Sequence, residues 1–306
     1  VAGGAIAFGK WGIEGSTKVA AQLTNNEFNE NSARNGGAAY LENAELTFAD
    51  SSFTNNSATE FGGAIYVDQS SSVVVDNITF TGNRVESEST GNGGAIFSLN
   101  GNVQVNESIF TENTSKRNGG AIAIASDNVR DDSVQQLSIS NSEFVSNTAE
   151  KKGGAVFWYD YETNDRKGDL AIEQTTFKDN KANMGGAIYA ENAFTVTGSQ
   201  FIKNQATDDG GAIYAYTTAD FAISNSVFQE NTSSDNGGAI AAWADNGQDQ
   251  NYSVTNSQFT ENEATDKGGA ISWLEYESIH DGASHVLSVE GSTFNSNTAQ
   301  WGGAIN

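Results

Sequence analysis

The stretch Met184–Asn192 reads MGGAIYAEN. Its centre, Gly-Gly-Ala followed by Ile, Ala or Val, occurs eleven times. The copies begin at Gly3, Gly36, Gly62, Gly93, Gly119, Gly153, Gly185, Gly210, Gly237, Gly268 and Gly302. A second motif, Phe-x-x-Asn, alternates with it strictly, ten times. Its phenylalanines are Phe28, Phe53, Phe80, Phe110, Phe144, Phe177, Phe201, Phe228, Phe259 and Phe294. Its asparagines are Asn31, Asn56, Asn83, Asn113, Asn147, Asn180, Asn204, Asn231, Asn262 and Asn297. Self-similarity at 25 to 34 residues is the mark of a solenoid, a propeller or an array.

The spacing inside the repeat chooses among these. In LSISNSEF (Leu137–Phe144) and FAISNSVF (Phe221–Phe228), apolar residues lie seven and five before the Phe, with polar residues between. That is the period-two alternation of a strand with one buried face. Asn, Asp, Glu, Gln or Gly sits three before the Phe, where a bend costs little. The unit reads apolar-x-apolar-x-x-Ser-x-Phe-x-x-Asn-x-Ala, a short turn, then Gly-Gly-Ala-Ile-x-apolar. No unit carries a helical stripe, and each is too short for a four-stranded propeller blade. The expected fold is all-β: a single right-handed parallel β-helix of about ten coils, each of three short strands. Stacking at about 4.8 Å per coil gives a rod of roughly 48 Å. Phe then stacks on Phe and Asn on Asn. Gly-Gly is read as a turn with positive φ and tight packing. Ile188 is expected to point inward and Tyr189 outward.

Composition agrees. The 306 residues contain no Pro and no Cys. Average usage would give roughly fifteen prolines, and proline cannot donate to a strand ladder. Without cysteine there is no disulfide and no thiolate chemistry. The net charge of -24 disfavours nucleic acid and anionic membranes as partners. The pattern runs at both ends, so we read residues 1–306 as one β-helix domain of a longer repeat chain. Either the repeat continues or the open ends meet end to end, because an uncapped coil is an unpaired strand edge.

The paired tetrapeptides, present from Gly3 to Ile305, resemble the chlamydial polymorphic membrane proteins. That resemblance implies an autotransporter passenger displayed on the cell surface, with an adhesin role. Its implied partner is a protein or glycan of a host or neighbouring cell. It also implies that segments such as Phe110–Asn113 bind host cells directly, whereas the physical reading makes them structural first.

The units differ at one corner. From Gly-Gly to the next Phe is sixteen to eighteen residues in five units and twenty-two to twenty-six in the others. The long ones include WYDYETNDRKGD (Trp158–Asp169), WADNGQDQN (Trp243–Asn251) and WLEYESIHDGASH (Trp273–His285). Loops on a rigid scaffold are common binding sites. The candidates there are Trp11, Trp158, Tyr159, Tyr161, Trp243, Trp273 and Tyr276; the alternative is that each ring folds over its own loop base. Asp245 and Asp249 form a weak oxygen-ligand calcium candidate that lacks the closing Glu. His280 and His285 share a loop with Asp281, a weak pattern for metal. No other cofactor pattern is present.

Enzyme chemistry has little support. The adjacent acids Asp208 and Asp209 lack a nearby His or a matching basic pair, and Arg166 beside Asp165 and Asp169 is the one other cluster. The reading is a non-catalytic extracellular adhesin or binding scaffold. A structural stalk and a polysaccharide lyase or hydrolase are the alternatives.

Overall fold

The computed structural model describes residues 3–9, 18–68, 71–126, 135–159, 169–217, 220–244, 250–275 and 284–306; of Thr217 and Glu275 it describes the backbone alone. Among them every regular element is a strand, and all strand pairing is parallel. Each strand pairs with its equivalents one repeat earlier and one repeat later. The result is a β-solenoid.

Three sheets contain ten strands each and a fourth contains nine. In the seventh coil the strands are Ile188–Ala190, Phe194–Thr197, Gln200–Ile202 and Gln205–Ala206. A coil therefore has four strands, one more than the repeat suggests. The extra strand follows the motif Asn and is mostly two residues long, too short to show alternation.

The interior is a set of ladders. Rings Phe28 to Phe294 form one continuous stack, with centroids 4.6–4.9 Å apart and planes within 11°. Burying each ring is worth about 1.5–3 kcal/mol, and ring pairing adds about 0.5–1.5 kcal/mol.

Next to it runs the asparagine ladder. Asn180 Nδ2 donates to Asn204 Oδ1 at 3.0 Å and to Phe144 O at 2.9 Å. Asn180 Oδ1 accepts from Asn147 N at 2.9 Å and Asn147 Nδ2 at 3.0 Å. Both amide hydrogens and both lone pairs are used. A fully buried amide, otherwise costly, becomes a clamp between coils. A serine ladder does the same at the preceding bend: Ser199 N donates to Ser226 Oγ, which donates to Ser224 O.

The two glycines have different tasks. Gly185 has φ +65°, but Gly186 does not lie in the positive-φ region. A Cβ on Gly186 would overlap Gly211 O and the Gln205 backbone. So the first glycine makes the turn and the second permits coil-to-coil approach. Two further bends per coil use the left-handed region, three before and two after each Phe. The second of these holds Glu30, Asn55, Glu112, Ser146, Asp179 and Lys203, among others.

The inward and outward phase of Ile188 and Tyr189 is as expected, but Tyr189 is not exposed. It retains 2% of its surface and belongs to a second apolar cluster outside the coil.

Candidate binding surface

That second cluster defines the outer face of the first sheet. Counting from Ile188, positions alternate inward and outward along each strand. The first outward position carries Tyr40, Tyr66, Phe97, Phe157, Tyr189 and Tyr214 on their coils, with Ala123 and Ala241 between, all in the cluster. These rings stack along the outside; Phe157–Tyr189 and Tyr189–Tyr214 centroids are 5.5 and 5.1 Å apart. At two turns the residue before Gly-Gly covers the next coil's ring. Phe61 lies on Phe97 at 4.7 Å. Lys152 Nζ lies 4.2 Å over Tyr189, bonds its hydroxyl at 2.7 Å and bridges Glu191 at 3.1 Å.

The second outward position is half-buried and accessible. From the sixth to the tenth coil it holds Tyr159, Glu191, Tyr216, Trp243 and Leu274. Tyr216 and Trp243 are register partners, as are Trp243 and Leu274. Rings of this kind combine apolar area with a polar tip, which suits partner binding.

Burial holds the Tyr189 and Tyr214 phenols well above their usual range, with nearby carboxylates adding to the effect. Tyr189 keeps its proton and donates a hydrogen bond to Glu191 Oε1 at 2.8 Å.

Beside this band Asp208, Asp209 and Asp235 bring carboxylate oxygens within 4.8 Å of one another. Burial raises the pKa of each, and mutual repulsion raises it further. Asp209 is buried, and its Oδ1 accepts Asn236 N at 3.0 Å and Nδ2 at 2.9 Å. That occupies it as a structural brace between coils. Three oxygens at this separation have ligand geometry for a hard cation, but the brace ties up the central one.

The structure divides the expected aromatic site. Trp158 is fully buried in the main core, packed between Ile124 and Ala190 of adjacent coils. It occupies the inward apolar position of its repeat and cannot meet a partner. Trp273 also points inward and packs on the main core. Both corrections have one cause: the strand phase set by Gly-Gly runs two or three residues into the segments read as loops. Tyr159 and Trp243 stay on the outer face. Trp11, Tyr161, Tyr276, Asp245, Asp249 and His280 lie outside the described residues. Tyr216 and Glu191 were missed because their coils have no insertion; the repeat phase would have found them.

Seven segments, 50–68, 77–99, 107–125, 174–191, 198–216, 225–242 and 256–272, match the Chlamydia polymorphic membrane protein repeat. Over these segments the chain is similar to the proteins built on that repeat. No curated protein and no solved structure gives a significant match. Each matched segment of the repeat runs from near the bend before Phe through the Gly-Gly strand. Tyr159, Trp243 and nearly all of the second sheet fall between the matched segments. The matched segments thus take in seven of the ten Phe-x-x-Asn motifs.

Proposed function

We propose that the chain is a displayed, non-catalytic binding scaffold of adhesin type, outside the cell. The observation that carries this is the repeat of a membrane-protein family laid on a rigid solenoid with an aromatic band on one outer face. Its partner is a protein or glycan of another cell's surface, met by Tyr159, Tyr216 and Trp243. The ladders supply rigidity, which lowers the cost of ordering the band on binding.

The test is adhesion of beads coated with the purified chain to cultured cells, with bare and albumin-coated beads as controls. Saturable adhesion, competed by free chain, is expected. Adhesion no greater than the controls would leave the chain a structural stalk.

A further inference from the structure

The second sheet has a groove that the aromatic band does not use. Its floor is the outward ladder Ala171, Thr195, Ala222 and Ser253, in register on coils six to nine. The groove has a volume of about 540 Å³, and Asp169, Asp220 and Asn251 stand along one side. On earlier coils the same ladder carries Thr47, Val74 and Gln104. The ladder is small on coils six to nine, and a second hollow of about 480 Å³ lies on coils one to three of the same sheet beside Gln22, Thr47 and Val74. The connections into the groove's middle coils, residues 191–193 and 218–220, have three residues each, against nine in 160–168 and 276–284.

We propose that this groove binds an uncharged glycan lying along the solenoid axis. The proposal rests on the chain being a binding module, but it uses a different face.

Three observations select the ligand. Among the described residues no Lys or Arg lines the groove, and two carboxylates on a chain of charge -24 repel sulfated or uronate polymers. Alanine and threonine methyls offer an apolar floor to the C–H face of a sugar ring. Thr195, Ser253 and the Asp and Asn side chains offer donors and acceptors for its hydroxyls. One Asp220 oxygen is already fixed by Asn251 N at 2.7 Å, which orients the other. Finally, equivalent groups recur at about 4.8 Å, over about 14 Å across four coils. A pyranose unit advances its chain by roughly one coil spacing. An extended peptide instead repeats each face at about 6.6 Å and falls out of register.

The experiment is titration calorimetry of the purified chain with neutral tetrasaccharides, namely β-glucans, mannans and galactans, beside sulfated and uronate counterparts. At least one neutral series is expected to bind, and the anionic ones are not. Ala222→Trp, which fills the groove from outside the core, should weaken binding at least tenfold with an unchanged melting temperature. If that variant folds poorly, Ala222→Gln, the residue type of Gln104 on the same ladder, takes its place. Gln258→Ala, at an exposed position of the third sheet, should leave glycan binding unchanged. No neutral binding across the panel, tighter anionic binding, or indifference to filling the groove would overturn the inference. Cells that still bind the chain when neutral glycans do not would overturn the groove alone. Loss of both would overturn the functional reading as well.

Discussion

At the scale of single residues, the repeated letters divide into those that turn the chain and those that join coils. Gly186 and Asn180 belong to the second kind. Asn180→Ala would leave Asn147 N and one Asn147 Nδ2 hydrogen without their acceptor, and Phe144 O without the Asn180 donor, inside the coil. Buried groups left unpaired cost about 1–3 kcal/mol each, so we expect a loss of at least about 3 kcal/mol in chemical denaturation. Trp158→Ala should cost about 3–5 kcal/mol, as a core aromatic does. An exposed binding residue at either position would show almost no loss. Trp158 was legible in principle. The pattern Gly-Gly-Ala-Ile-x-apolar fits Gly153-Gly154-Ala155-Val156-Phe157-Trp158 and assigns its last position to the interior. The misreading came from treating a long connection as a loop from its first aromatic residue.

At the scale of elements, the three longer strands and the bend before each Phe were legible, because alternation and turn-prone residues mark them. The fourth strand was not, since two residues have no period. The second left-handed bend was also hidden, because Glu, Ser and Lys do not advertise positive φ. Ser146, at φ +55°, pays a steric penalty of about 1–2 kcal/mol there, partly offset by the chain entropy that Gly would lose. Gly82 fills the same bend two coils earlier. Ser146→Gly should therefore stabilise the fold by about 0.5 kcal/mol, read as a higher denaturant midpoint at constant slope. The second apolar cluster escaped notice for another reason. Outward positions on a sheet read as exposed, and nothing in one repeat shows where the residue before the next Gly-Gly will cover them.

At the scale of the whole molecule, the net charge of -24 opposes the compact state through self-repulsion. The acids at the turns into coils eight and nine show it locally. Asp208, Asp209 and Asp235 have folded pKa values raised above the ordinary 3.8, chiefly by burial. For an acid raised in the fold, the stabilising contribution is present below the unfolded pKa. It is lost as pH rises through the folded pKa. Asp235→Asn should therefore raise the melting temperature at pH 7 and change it little near pH 3. A larger gain at pH 3 would reverse the sign of this argument. About half of the candidate site was legible: Tyr159 and Trp243 by type and neighbourhood, Tyr216 and Glu191 only through register.

The central claim is that the ladders hold the solenoid while the outer aromatic band makes the contacts. The most direct measurement is cell-binding affinity of the double variant Tyr159→Ala, Tyr216→Ala, taken beside its thermal melt. Anchoring aromatics are commonly worth about 2 kcal/mol or more each, and about 1.4 kcal/mol is a factor of ten. The account predicts a fall in affinity of at least a hundredfold while the cooperative melt is kept. Unchanged affinity in that folded variant would contradict it and return binding to the repeated motifs.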